Sequence, residues 1–306
     1  MQVIEKYINP FTDFGFKKIF GTEPNKDLSI DFLNEVILPE ERRIVDLSYK
    51  KNDQLGSSEY DRKAVFDLYC VGSDGERFIV EMQKAKQNYF KDRTVFYATF
   101  PIQEQAIKGD WDYKLAEVYT VGILDFVFSD DTFHGAVQDS NNNKEVRHVV
   151  NLKDQNCRVF YDKLTFIYLE MPNFIKKEQE LETIYDKWLF VLKNLATLPN
   201  QPDNLQGKIF QRLFETAEIA KFTPEEKVQY EESLKSYRDL KNVIDTSFDE
   251  GKMEGKMEGK MEGKMEEKVR GIIKSIKRNK LTLAEIAEDF ETTIDFVQKI
   301  KDEHNI

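Results

Sequence analysis

Apolar positions from residue 11 to residue 38 recur at helical spacing. Phe16, Ile19 and Phe20 share one face, and Leu28, Ile30, Phe32, Leu33, Val36 and Ile37 resume the pattern after a GTEPN break. The period then shortens to that of strands over 44–49, 63–71 and 77–84. Between the last two stands GSDGE, with Gly72 and Gly75 flanking Asp74, which predicts a hairpin. Residues 88–108 predict a helix, kinked at Pro101, because a proline ring inside a helix removes a backbone hydrogen bond. The apolar runs 117–128 and 164–170 predict further strands. Strands mixed with flanking helices predict an α/β or α+β core.

Beyond residue 171 the pattern changes. Residues 177–248 read as charged, periodic helices with no strand. Four tandem copies of Gly-Lys-Met-Glu then occupy 251–266, and 268–280 carry six basic side chains and no acidic one. In a helix each residue of the repeat forms a slowly winding stripe, the preferred reading because glutamate, lysine and methionine are good helix formers; the glycines and the like charges at i, i+4 leave a flexible linker as the alternative. In the tail, Thr282-x-x-Glu285 is a capping-box signal, and Ile286, Ala287, Phe290, Ile294, Val297 and Ile300 form an apolar seam of helix-turn-helix type. Such motifs often place glycine at the turn, where this chain has Glu291. The expected division is an α/β core over 1–170, a helical extension over 171–248, the repeat over 249–267, and a basic segment with a small helix-turn-helix-like module over 268–306.

Composition narrows the chemistry. The chain has 306 residues, 40% of them hydrophobic, with 23 Phe and 13 Tyr, enough to bury a core. Its net charge of −11 disfavours wholesale adsorption to nucleic acid or anionic membrane, so any nucleic-acid contact needs a local basic patch or metal ions. Lys268, Arg270, Lys274, Lys277, Arg278 and Lys280 form such a patch, with a charged surface helix as the plainer reading. Cys70 and Cys157 are too few for a disulfide framework or zinc ribbon, and His134, His148 and His304 show no ligand spacing. The opening MQVIEKYINP has no apolar leader pattern and no run approaches a membrane span, so a reduced, cytoplasmic chain with no membrane partner is expected.

The candidate chemistry lies in the hairpin. Asp67 and Glu81 are equidistant from the centre of GSDGE, so pairing places them opposite one another, with Gln83 on the face of Glu81 and Val80 and Met82 on the other. Two facing carboxylates in an apolar setting repel and lose hydration, and a divalent cation removes both penalties. The plain alternative is a solvent-facing hairpin whose acids diverge.

Asp67, a hairpin, then Glu81-Met82-Gln83 resembles the active-site core of the PD-(D/E)XK nuclease superfamily in its ExQ variant. TDFGFKKIFG (12–21), LSIDFLNEVI (28–37), DRKAVFDLYCVGSDGERFIVEMQ (61–83), DRTVFYATFPIQEQ (92–105) and YKLAEVYTVGILDF (113–126) together resemble the Rpn family of transposase-type, recombination-promoting nucleases, over roughly residues 8 to 170. The resemblance implies a restriction-endonuclease-like α/β fold, a mixed central sheet flanked by helices, with an all-helical C-terminal extension. It also implies an endodeoxyribonuclease of little sequence specificity that uses Mg²⁺ or Mn²⁺ held by Asp67 and Glu81, with DNA as partner. Gln83 stands where most of the superfamily has lysine; glutamine orients water but brings no charge. Lys84 lies on the opposite face and Lys86 beyond the strand, which leaves Arg93 as the candidate cation, with Tyr97 one turn on; a surface arginine stacked on Tyr97 is the alternative. Asp13 is either a third acid of the site or a helix N-cap, the cap being preferred. The repeat offers a route to homo-oligomers. The competing function is a catalytically silent DNA- or protein-binding relative that acts through its tail.

Overall fold

A computed structural model of the chain describes residues 5–37, 43–50, 53–54, 64–106, 112–128, 145–304 and 306. Expectations at Leu38, Lys63, Ile107, Lys108 and His134 fall outside the described residues. The chain divides into two compact units, residues 1–241 and 242–306.

In the first unit, α1 (Asp13–Phe20) and α2 (Lys26–Ile37) flank the GTEPN break, whose centre forms a 3-10 turn at Glu23–Asn25. Thr12 caps α1: its hydroxyl accepts the Gly15 N–H at 2.9 Å. Asp13 is therefore the first helical residue and not the cap expected from sequence.

Six strands follow: β1 (Leu47–Tyr49), β4 (Leu68–Gly72), β5 (Arg77–Gln83), β6 (Val118–Leu124), β7 (Arg147–Lys153) and β8 (Val159–Glu170). They form one mixed sheet in the order β1-β4-β5-β6-β8-β7, and β2 (Asp53–Gln54) pairs with β3 (Ala64–Val65) in a separate ribbon. β4 and β5 are antiparallel around the predicted turn, where Gly75 takes a φ of +87° that suits glycine. β5, β6 and β8 run parallel, and α3 (Phe90–Glu104) lies in the connection between β5 and β6. α3 continues through Pro101. The α/β expectation holds: a mixed sheet is flanked by helices and followed by an all-helical C-terminal region. The predicted strand over 63–71 is instead two strands, because the chain bends at Asp67.

Strand alternation sorts the core. Phe78, Val80 and Met82 of β5 point to the face covered by α1, α2, α4 (Ile184–Asn194) and α5 (Lys208–Ala217). Ile79 points to the other face, where Phe66, Tyr69 and Ile79 pack against Tyr97 and Phe100 of α3. Gly122 of β6 lies on the α3 face beside Glu81; a Cβ there would stand 3.0 Å from the Tyr168 ring and 3.6 Å from the Phe90 ring. Its missing side chain lets α3 sit close to the sheet.

The helices after residue 170 share this core. Trp188 is fully buried among Phe20, Phe32 and Phe210, and its indole N–H donates to Asp31 Oδ1 at 2.6 Å. Ile8 and Ile219 backbone N–H groups bond Ala217 and Lys6 carbonyls at 3.0 Å, which ties the start of the chain to the end of α5.

α6 (Pro224–Arg278) is one 55-residue helix that contributes to both units and includes the whole Gly-Lys-Met-Glu repeat. In the second unit, α7 (Leu283–Asp289) and α8 (Ile294–Glu303) pack on its last turns around Ile272, Ile286, Ala287, Val297 and Ile300. The capping box at Thr282 and Glu285 forms. Glu291 takes the left-handed turn conformation, φ +45°, that glycine usually supplies. Among the described residues no helix is long and apolar enough to cross a membrane.

Trp188→Ala removes the largest buried ring of the shared core, so urea denaturation should report a loss of about 3–5 kcal/mol. The sheet should unfold in the same transition as the helices; a sheet signal that melts at its wild-type midpoint would show that the helices after 170 fold separately.

Candidate active site

The end of the β4–β5 hairpin brings three polar side chains into an apolar wall. Leu68 and Val80 form its last paired rung, and Asp67 and Glu81 stand one step beyond it. The bend at Asp67 turns its carboxylate to accept the Met82 N–H at 2.7 Å. Glu81 and Gln83 are both buried, on the α3 face as alternation predicts. Glu81 is buried and Asp67 half-buried, so neither acid stands out in solvent, and the charge on Asp67 contributes to the shift at Glu81.

That proximity has an electrostatic cost. Burial is the largest cause raising both carboxyls above their ordinary range. At Glu81 the negative charge of Asp67 adds to burial, Arg93 and the Asp67 backbone act against both, and the result is a pKa pushed up from 4.5 to about 8. At Asp67 the Met82 N–H opposes the rise, Asp13 adds to it, and Lys17 and Lys84 reduce it. Glu81 Oε1 is buried with no hydrogen-bond partner. Buried carboxylate oxygens rarely go unsatisfied, and Asp67 and Glu81 are the residues that could hold a hard divalent cation here.

Arg93 reaches the site from the first turns of α3. Its guanidinium lies 5.2 Å from the Phe90 ring and 5.7 Å from the Tyr97 ring, and donates to Gln83 Oε1 and to Gln87 Oε1. The arginine is thus both stacked on Tyr97, the plainer of the two expectations, and turned to the site. Gln83 Nε2 donates to the Ala85 carbonyl at 2.9 Å. Both ends of the amide are engaged, the oxygen by Arg93 and the nitrogen by Ala85. Sequence alone could not show that pairing, because it depends on which way an amide faces. Tyr97 also belongs to the neighbourhood: burial raises its pKa, and Glu81 and Asp67 add to the rise.

Asp13 is exposed and paired with Lys17 at 2.9 Å within α1. Its charge reaches Asp67, yet among the described residues no three His, Cys, Asp or Glu side chains converge as a metal cluster. The tail residues lie apart in sequence and unit. Lys268 Nζ donates to the Glu291 carbonyl at 2.9 Å, Arg270 stands 3.7 Å from Glu266, and Lys274, Lys277, Arg278 and Lys280 are exposed.

Because Glu81 holds its proton more tightly folded than unfolded, the metal-free protein should lose stability as pH rises from about 4.5 to about 8 and level off above. Glu81→Gln should flatten that slope and raise the melting temperature at pH 8. Calorimetric scans across this range check it; a slope that survives in Glu81→Gln assigns the effect elsewhere.

No curated protein and no solved structure matches the chain. One family model does, the PD-(D/E)XK nuclease family transposase, over residues 10–247. That span takes in the sheet, the hairpin acids, α3 and the helices that share the core. The chain belongs to the PD-(D/E)XK nuclease family transposases.

Proposed function

We propose that this protein is a divalent-metal-dependent endodeoxyribonuclease that hydrolyses DNA phosphodiester bonds with little sequence specificity. The observation that carries the reading is the orphaned, buried Oε1 of Glu81 beside the Asp67 carboxylate. Asp67 and Glu81 are the residues that would hold Mg²⁺ or Mn²⁺, and the ion would supply an activated water and charge neutralisation at the phosphate. Hydrolysis needs a cation facing the developing negative charge, the part most relatives assign to lysine. Here Arg93 takes it, held at one end by Gln83 and stacked between Phe90 and Tyr97. A guanidinium is always charged and presents several donors, so it suits a phosphate at least as well as an ammonium.

The two residues then act as a unit. Gln83 accepts from Arg93, and a lysine at 83 would repel it. The exposed Lys274, Lys277, Arg278 and Lys280 are offered as added phosphate contacts, with Lys268 and Arg270 at their margin. Met253, Met257, Met261 and Met265 are exposed along a continuous helix, and a second copy of this chain is the partner proposed for them.

The test is nicking of supercoiled DNA by purified protein in Mg²⁺, Mn²⁺ or EDTA. Cleavage should need the metal and disappear in Asp67→Ala and Glu81→Ala. Arg93→Ala should lose about 10²–10³-fold in rate. Gln83→Lys should lose activity although it restores the common superfamily residue, and Gln83→Lys combined with Arg93→Ala should recover part of it. Full activity in Gln83→Lys alone would show that the amide does not hold the catalytic cation. Undiminished cleavage by both carboxylate variants would remove the hairpin from the reaction.

A further inference from the structure

Asp67 stands where the two faces of the sheet meet. One face presents Glu81, Gln83 and Arg93. The other opens into a groove of about 1040 Å³ between α1, the end of β1 and the first turns of α6. Leu68 and Lys84 line this groove, and they are the chain neighbours of Asp67 and Gln83, so it begins beside the acids.

The groove carries four lysines, Lys17, Lys18, Lys50 and Lys84, against three acids, Asp13, Glu226 and Glu232, in a chain of net charge −11. Their commitments differ. Lys18 pairs with Glu226 of α6, and Lys17 pairs with Asp13 one turn back. No side-chain hydrogen bond or ion pair holds Lys50 or Lys84 among the described residues, and Lys50 is exposed to solvent. Both Lys17 and Lys84 are near enough for their charge to be felt at Asp67. With Asp13 and Glu226 engaged by Lys17 and Lys18, Lys50 and Lys84 outnumber Glu232, the groove's remaining acid, and an excess of cations in a concave site focuses potential on an anion. The exposed pair between Lys17 and Asp13, about half exposed on each side, is of a kind weak enough to exchange.

We infer that this groove is a second anion site, which holds the backbone phosphates next to the one presented to Asp67 and Glu81. Lys50 and Lys84 are its standing cations, and Lys17 joins them when a phosphate displaces Asp13. The ligand is a nucleic-acid strand recognised by its phosphodiester backbone and not by its bases. The inference rests on the nuclease reading for the placing of the scissile bond; the anion site itself needs only the groove. Asp13 is then a placeholder for phosphate and not a metal ligand, which separates the two roles open to it.

The experiment uses the full chain, a fluorescent duplex of about 20 base pairs and EDTA, so that binding is read without cleavage. Anisotropy titrations over a salt series give affinity and the slope of log K against log salt. Lys50→Gln combined with Lys84→Gln should weaken binding about tenfold and reduce the slope by about one to two, one phosphate per lysine. Asp13→Asn should tighten binding by about two- to fivefold, because it frees Lys17. Circular dichroism checks the fold, and Lys50→Glu alone, at an exposed position, repeats the test if the double variant is unfolded. Unchanged affinity and slope in these lysine variants, or no binding by the wild type, overturns the anion site. So does weaker Mg²⁺-dependent cleavage by Asp13→Asn with unchanged binding in EDTA, which would make Asp13 a ligand of the ion. A wild type that binds with the expected slopes yet leaves DNA intact in Mg²⁺ upholds the groove and overturns the nuclease reading; one that cuts while the lysine variants keep its slope does the reverse.

Discussion

Two carboxylates of like charge are held against each other in a wall of Phe, Leu, Ile and Val, and most of what surrounds them can be read as a consequence. Left alone, the pair would be a liability: burial and mutual repulsion raise both pKa values, and one oxygen of Glu81 finds no donor. The fold offsets part of this with the Met82 N–H on Asp67 and with Arg93 near Glu81. It leaves the rest unbalanced. Strain of this kind persists only where the surrounding structure overrides it, and it is what motivates the proposal of a bound cation there.

The sheet and α3 supply that override. β5 is paired antiparallel to β4 up to Val80 and parallel to β6 through Gln83, which fixes the backbone that carries Glu81. Gly122, the neighbour of Glu81 on β6, leaves the room that Phe90 and Tyr168 fill, and so brings the start of α3 down onto the acids. Arg93 sits three residues past Phe90 and four before Tyr97, which makes its stacking a product of helical period as much as of chemistry. A guanidinium is thus brought to the hairpin from a different element, and Gln83 is its acceptor.

Much of this is written in short-range pattern. The GSDGE turn sets the hairpin register, and with it the meeting of Asp67 with Glu81 and the shared face of Glu81 and Gln83. The helical period of 88–108 places Arg93 and Tyr97 together. What is not legible depends on long-range packing or on local competition. β7, RHVVNLK, is an edge strand with little buried surface, so it lacks the apolar run that marks β6 and β8. Thr12 wins the cap from Asp13 because its hydroxyl reaches Gly15, a choice between two good capping residues that spacing does not decide. Trp188 carries no sequence mark of its partners, which lie about 160 residues earlier in α1 and α2, and so the helices after 170 read as an appendage when they are part of the core. The orientation of the Gln83 amide is equally silent in one-letter code, although only its oxygen can face a guanidinium.

The proposed chemistry of the hairpin depends on Glu81 being a protonated acid that gives up its proton when a metal ion binds. Calorimetric titration of the metal-free protein with Mn²⁺ at pH 7, repeated in buffers of different ionisation enthalpy, measures protons released as the ion binds. With the Glu81 pKa near 8, close to one proton should leave per ion bound, and Glu81→Gln should abolish both the binding and the release. Binding with no proton release, or binding that Glu81→Gln leaves intact, would contradict it.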